Sequence, residues 1–471
     1  MADDRTDKAR PSLSRQFLPA VHGLLARPLS SYYLLIASAG MLLLIGLTMV
    51  FSATSVAAYA KNGNAFSAIS SQAVFALLGL VAFWVCQRLP AITLRTLGKY
   101  ILGAAIVLLC VLDLLNALKG LGVLKADANQ VVHAGPVSAS LLWLYVGGVP
   151  MQPSELAKLG MVLWGADMIA RKGPALGHWR ELAMPLFPVI GLLFVLVGYN
   201  DVGTMLVLLA LIVGLLWAAG VRLRVFGALG VLGLAGIGLL IAAASRGAGS
   251  GTDGAENYRV ARLTAFLKPL DQCDLNGACY QLIMGRSAIF EGGWFGVGLG
   301  KGALKWGWVP EAENDFIYSI LAEEMGVVGC TVVLALFSVL AYSGFRIARR
   351  SADPFRRLAA AAITTWLVAQ AVINMGGVVG LLPITGLPLP FISAGGSALI
   401  VAMAAIGMLA SFARAEPDAA RALNARPTPR WVRLVWAPLP PLPSPRRPVS
   451  KTPAKPVKPV KSVGAGDGRR R

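Results

Sequence analysis

The chain has 471 residues, of which 56% are hydrophobic and only 14% charged, and it carries a formal net charge of +20. Soluble domains hold roughly 25% charged residues, so a set of water-facing globular domains is excluded. The positive excess does not mark a nucleic-acid binder either: fourteen Lys/Arg against three Asp/Glu lie between Arg414 and Arg471, and most of the remainder sits in short loops between apolar runs, the pattern that membrane topology produces.

In chain order, a polar, basic stretch of thirty residues precedes the first apolar run, which is long enough to span a bilayer rather than be cleaved as a signal. Apolar runs then occur near 32–54, 67–87, 98–116, 153–170, 183–200, 202–220, 223–245, 316–345, 358–379 and 394–413. The expected fold is an all-α integral membrane protein of about ten transmembrane helices. Residues 1–30 form an N-terminal tail, 31–415 the polytopic membrane domain, and 416–471 a tail. Between spans seven and eight lies one long polar insertion, 246–315, and a shorter one covers 117–152.

Charge orients the bundle. Arg88, Arg95 and Lys99; Arg171, Lys172 and Arg180; Arg222 and Arg224; and Arg346, Arg349, Arg350, Arg356 and Arg357 fall in alternate loops. The intervening short loops hold few basic residues, so both termini are expected in the cytoplasm and both long loops outside it. The tail after Pro427 is rich in Pro, Arg and Lys, has no apolar period and reads as disordered. It is a candidate for binding anionic lipid or a cytoplasmic partner; a solvated tail without a fixed partner is the alternative.

Charges inside spans need a reason, since each costs at least about 2.5 kcal/mol at the bilayer centre. Glu155 and Lys158, three apart at the start of span four, share a helix face and can pair; they either ease insertion or line a cavity. Asp201 either caps the helix that begins at Val202 or touches a polar headgroup. Asp315 sits where a helix would start, and an acid is favoured there by the dipole. That reading does not cover Glu323 and Glu324, two turns inside an apolar helix. Asn374 to Ser397 is apolar but thick with Gly and Pro, so no regular helix runs through it; it is a re-entrant connector or a groove wall. Cys86, Cys110 and Cys330 read as small buried hydrophobes. Cys273 and Cys279 flank Asp274 on the outer side, either as a disulfide that stiffens the loop or as two free thiols.

Four segments resemble the SEDS family of shape, elongation, division and sporulation proteins, which includes FtsW and RodA. Gln152-Pro-Ser-Glu-Leu-Ala-Lys is similar to the family's start of span four, and Asp201-Val-Gly-Thr to its D-[LV]-G-T turn. Pro310-Glu-Ala-Glu-Asn-Asp-Phe-Ile resembles PEAHTDFI. Leu381-Leu-Pro-Ile-Thr-Gly-Leu-Pro-Leu-Pro-Phe-Ile-Ser-Ala-Gly-Gly-Ser, with Ser393, resembles LLPxTGxxLPFISYGGS. In the long loop, Tyr258-Arg-Val-Ala-Arg-Leu-Thr-Ala-Phe is similar to YRxxRxTAF, with Arg262 matched. Asp274, Gly277, Tyr280 and Gln281 match DPxGxGYQ, with Leu275 in place of Pro. Arg286 falls near a basic position of RodA-like members, and Lys305 matches the Lys of a GLGxSxxK-like run. The chain departs at Leu142, where members carry an Arg before the Trp, and at Glu313 and Asn314, which replace His and Thr beside the key Asp. Pro-Glu-Ala and the long tail lean toward FtsW over RodA.

The resemblance implies a peptidoglycan glycosyltransferase. It would polymerise lipid II at the outer face of the bacterial cytoplasmic membrane, at the division septum, with a class B penicillin-binding transpeptidase and other divisome proteins. Asp315 is then the catalytic base. The substrate-binding candidates are Tyr258, Arg262, Asp274, Arg286, Lys305, Glu155, Lys158, Asp201, Glu324 and Ser393. One base plus positive charge suffices for this chemistry, because a diphosphate leaves without a proton once its charge is neutralised. A divalent cation, Mg or Mn, is the one cofactor such a site would take. The alternatives are a lipid II flippase, an elongation polymerase of the RodA kind, and a divisome scaffold acting through the tail.

Overall fold

The computed structural model describes residue 23 and residues 27–127, 131–172, 179–198, 201–227, 230–231, 278–425 and 427–442. Its elements are α1 (Ser30–Asn62), α2 (Ser67–Cys86), α3 (Ala91–Gly120), a sheet of β1 (Val132–Ala134), β2 (Val137–Ser140), β3 (Trp143–Val146) and β4 (Val149–Met151), then α4 (Pro153–Lys172), α5 (Trp179–Gly198), α6 (Val202–Ala218), α7 (Ala278–Gly292), α8 (Ile317–Arg350), α9 (Pro354–Val379), α10 (Gly396–Arg414), α11 (Pro417–Ala425) and α12 (Arg430–Val435).

Six helices, α1, α2, α3, α8, α9 and α10, are long and apolar enough to cross a bilayer. Pro185–Gly198 within α5, and α6, are shorter apolar helices. The multi-pass helical architecture is therefore as expected, while most of span seven, expected at 223–245, lies outside the described residues. The helices divide by burial. α9 and α10 are each 72% buried over their apolar window and form the centre, whereas α2 is 22% buried and shows Leu77, Leu80 and Val81 to the surroundings. α4, which carries Glu155, Lys158 and Asp167, is buried at most positions from Pro153 to Ile169.

Between apolar helices in lipid, close packing has to supply what the hydrophobic effect does not, and small residues permit it. A Cβ on Gly160 of α4 would fall 2.7 Å from Leu102 Cα of α3, and one on Gly98 of α3 would fall 2.7 Å from Leu163 Cβ of α4. Gly407 brings α10 equally close to α2, where a Cβ would lie 2.9 Å from Phe83 Cα. Gly214 and Gly344 seat α6 and α8 against Thr365 and Thr364 of α9.

The 117–152 connection is not a plain loop. It is a four-stranded antiparallel meander, β1-β2-β3-β4, pairing Val132 with Ala139 and Leu144 with Met151. Ala139 and Leu144 bury against Leu112 and Leu115 of α3 in a small core of their own. Gly147 and Gly148, both at positive φ (59° and 83°), make the last hairpin, the requirement of a type I′ turn. The long insertion also has structure where it is described: α7 packs on α8.

Candidate active site

The site is organised by the irregular segment 380–395 between α9 and α10. Pro383, Pro388 and Pro390 remove backbone donors there, and non-helical backbone at membrane depth survives only where protein satisfies it. The satisfying groups come from α9, from the turn before α8 and from the segment itself. Asn374 Nδ2 donates to Leu387 O at 2.7 Å, and Gln370 Nε2 to Pro388 O at 2.9 Å. The Leu389 amide donates to Ser393 Oγ at 2.7 Å, and that hydroxyl donates to Asn314 O at 2.7 Å. The Ala394 amide donates to Glu313 O at 2.9 Å. Gly203 of α6 packs on Thr385, where a Cβ would lie 2.7 Å from the Thr385 Cβ, and Gly46 of α1 lies against Ile392. Phe391 is held at φ 67°, a conformation that a large residue keeps only when its surroundings impose it.

Asp315 belongs to the turn before α8, two residues ahead of Ile317, and is half-buried. Its carbonyl accepts from Asn374 Nδ2 at 2.8 Å, so one amide ties the Asp315 turn to the irregular segment. With Asn374, Gly377, Ile384, Thr385 and Gly386 it lines a small pocket. Glu311, at φ 54°, closes the turn by accepting from the amides of Asn314 and Phe316. Arg286, exposed on α7, donates through Nε to Val379 O at 3.2 Å. Its guanidinium thus stands at the end of α9, next to the segment that walls the Asp315 pocket.

The same segment also lines a second pocket, with Glu155, Trp366, Gln370, Pro388, Leu389 and Ser393 around it. Behind it runs a buried polar chain. Lys158 Nζ lies 2.8 Å from both Glu155 Oε1 and Gln370 Oε1, and Trp366 Nε1 donates to Gln370 Oε1 at 2.9 Å. Glu155 is 1% exposed and Lys158 0%, so the pair spends its charge within the protein. Asp201 caps α6, accepting from the Thr204 amide at 2.8 Å and the Thr204 hydroxyl at 2.6 Å. It lies within electrostatic range of Lys158 and Glu155.

The acids of α8 are also taken. Gly326 breaks the helix at φ 65°, ψ −166°, a conformation open essentially only to glycine. The freed backbone groups are matched by the segment after α7. Val297 and Gly298 amides donate to Glu323 O and Glu324 O, and Val327 and Val328 amides donate to Gly293 O and Trp294 O. The Glu323 carboxylate accepts from the Ala303 and Leu304 amides at 2.7 and 3.1 Å. Glu324 pairs with Lys305 at 2.5 Å, and Ser52 of α1 bonds to both. Lys305, placed by sequence beside a diphosphate, has a side chain only 1% exposed and committed to this pair.

Thus Ser393 lies in segment 380–395, Asp315 and Glu155 each line a pocket with it, and Arg286 stands at its edge, whereas Lys158 reaches it through Gln370, Asp201 caps the neighbouring α6, and Lys305 pairs with Glu324 on the helix after Asp315. Tyr258, Arg262, Asp274 and Cys273 lie outside the described residues. Cys279 is disulfide-bonded, and Cys86, Cys110 and Cys330 are free. Sequence reading passed over Gln370 and missed the role of Asn374. The signal was there: two amides four apart on an apolar span share one face. Among the described residues no group of three or more His, Cys, Asp or Glu could hold a metal ion.

The FtsW, RodA and SpoVE family model, described as "Cell cycle protein", matches residues 32–417. Proteins named "Probable peptidoglycan glycosyltransferase FtsW" from Mycobacterium tuberculosis and Mycobacterium bovis are each 38% identical over 417 residues, spanning 88% of this chain and 74% of theirs. "Stage V sporulation protein E" of Bacillus subtilis is 33% identical over 376 residues, spanning 79% of this chain and 94% of its own. A solved structure described as "Structural coordination of polymerization and crosslinking by a peptidoglycan synthase complex" superposes with a TM-score of 0.58 at 25% identity, over 81% of this chain and 96% of that one. The rod shape determining protein RodA of Thermus thermophilus gives a TM-score of 0.53 at 25% identity, over 81% and 96%.

Proposed function

The chain belongs to the FtsW, RodA and SpoVE family of cell cycle proteins, and we propose from that premise how it works as a peptidoglycan glycosyltransferase. Lipid II is polymerised at the outer face of the cytoplasmic membrane, in septal wall synthesis. The observation that carries the reading is Asp315 itself. It is an acid that lines a pocket, on a turn pinned by Asn374 to an irregular wall, with the Arg286 guanidinium beside that wall at the end of α9.

Asp315 takes the proton of the attacking sugar hydroxyl, a poor nucleophile that needs a base within hydrogen-bond reach. The hydroxyl oxygen bonds to the anomeric carbon from the face opposite the leaving group, so configuration inverts. The bond from that carbon to the lipid diphosphate breaks, and the diphosphate leaves with the electron pair. Arg286 neutralises its charge, with Arg262 as the second cation expected from sequence. The pair of carboxylates used by ordinary glycosidases is not required. A divalent ion would add further charge neutralisation, but the described residues offer no ready set of ligands for one, and no step is routed through it.

The basic loops support cytoplasmic termini and an outward-facing Asp315. The synthase complex that this fold resembles couples polymerization with crosslinking, which supports a class B transpeptidase as partner. The test uses purified full-length chain with its crosslinking partner and lipid II. Wild type should build glycan chains, and Asp315→Asn should slow them by about a hundredfold or more while melting at the wild-type temperature. No chains from wild type would overturn the activity; equal rates would overturn the base. A tagged copy should collect at the septum rather than along the sidewall.

A further inference from the structure

The short helix α12 and the residues after it do not trail from the bundle. The Val435 carbonyl accepts from Trp84 Nε1 of α2 at 2.5 Å, and the Trp436 carbonyl from Gln87 Nε2 at 3.2 Å. Arg88, at the end of α2, donates to the carbonyls of Arg433 and Leu434. The Trp436 ring lies tilted against Phe83, with centroids 6.4 Å apart, and its Nε1 donates to the Tyr32 hydroxyl of α1. Arg414 of α10 and Asn424 of α11 donate to the carbonyls of Ala437 and Pro440. The back of the segment is therefore fixed across α1, α2, α10 and α11.

The front is apolar and bare. Trp431, Leu434 and Val435 are 68%, 73% and 61% exposed. Positions 431, 434 and 435 lie on one helix face. Their level relative to the bilayer follows from α2. That helix is exposed along its length, and it ends at Cys86, two residues after the Trp84 that holds Val435. The apolar face of α12 thus continues the lipid-facing side of α2 just where α2 leaves the bilayer. Arg88, Arg430 and Arg433 border it, and none of them has a carboxylate partner among the described residues. Arg88 lies over the Trp84 ring at 4.4 Å. Beyond the described residues, the chain from 443 to 471 carries nine Lys/Arg and one Asp. An apolar Trp/Leu face rimmed by arginines is how a helix lies in the headgroup plane of an anionic leaflet.

We propose that residues 430–436 are an interfacial strap: Trp431, Leu434 and Val435 enter the cytoplasmic leaflet, and Arg430 and Arg433 bind anionic phospholipid headgroups. The sidedness rests on the orientation given above; the depth does not. A nitroxide at Leu434→Cys, in full-length protein with Cys86, Cys110 and Cys330 replaced by Ala, is placed in vesicles of phosphatidylcholine alone or mixed with phosphatidylglycerol. Collision with oxygen should exceed collision with a polar nickel chelate, more so with phosphatidylglycerol. Arg430→Gln with Arg433→Gln should abolish the phosphatidylglycerol dependence and leave glycan synthesis from lipid II intact. Nickel accessibility equal to that of a water-exposed control overturns the strap. A label shielded from both reagents also overturns it, in favour of a second copy or another protein on this face. Depth unaffected by phosphatidylglycerol or by the arginines overturns headgroup binding. A membrane-impermeant quencher reads sidedness separately, and a failed polymerase assay leaves the depth result standing.

Discussion

Lys305→Met retains most of the side-chain volume and deletes the charge that Glu324 faces. Both partners are sealed, with side chains 1% and 0% exposed, and the remaining neighbour is the Ser52 hydroxyl at 2.7 and 2.8 Å from the two carboxylate oxygens. Removing one member of a buried ion pair costs about 3–5 kcal/mol, because the other is left uncompensated. Glu324→Gln should cost a similar amount by stranding Lys305. The double variant removes both charges at nearly constant volume, and such replacements are close to neutral or stabilising. A cycle of thermal unfolding in detergent, followed by tryptophan fluorescence, should therefore show two low-melting single variants and a double variant near wild type. Glycan synthesis should follow the same order, since the short helix 317–325 carries the Asp315 turn. A double variant that melts as low as the sum of the singles would refute the pair as a mutual support.

Gly326→Ala places a Cβ 2.5 Å from Trp294 O and 2.6 Å from the Phe295 amide, in a backbone conformation that only glycine adopts freely; folded yield should collapse, whereas Gly40→Ala, with open space around it, should be silent. Asn374→Asp keeps the shape but loses the donor to the Asp315 and Leu387 carbonyls, at about 1–3 kcal/mol per stranded group. Polymerisation per folded molecule should fall, and an unchanged rate would remove Asn374 from the positioning role. Burial holds the Glu416 carboxyl above the ordinary carboxylate range, with Arg350 and Arg346 acting in the opposite sense. The folded chain then binds that proton more tightly than the unfolded chain. Stability is fully present below the unfolded value of about 4.3 and is lost as pH rises through the folded one. Glu416→Gln, which stays neutral, should melt above wild type at about pH 7 and level with it at about pH 4; a gap that widens on acidification would reverse the sign and refute the reasoning.

The spans were legible because twenty apolar residues in a row admit few explanations, and Asp315 and the Gly/Pro-rich segment were legible as breaks in that pattern. The meander at 132–151 was missed, although Val146-Gly-Gly-Val149 between alternating apolar residues is a hairpin signal; the length rule for spans drew attention past it. Lys305 could not be placed from sequence. A basic residue in an outer loop reads as exposed, and its burial depends on Glu324, nineteen residues away, and on Ser52 of α1. Asp201 reads from sequence as a helix cap, and that is the hydrogen bonding it makes.

Polymerase and transporter differ in what they ask of intramembrane acids. A transporter must change the pairing of such an acid in each cycle. Glu155 is held by Lys158, which Gln370 and the Trp366 ring also engage; Glu324 is held by Lys305 and Ser52. Opening either would strand a buried charge at about 3–5 kcal/mol. These pairs suit a scaffold that keeps segment 380–395 still. A polymerase benefits from that stillness, because transfer between two bound sugars demands that base, hydroxyl and anomeric carbon stay aligned. The polar groups inside the bundle thus hold still the wall to which the Asp315 turn is tied.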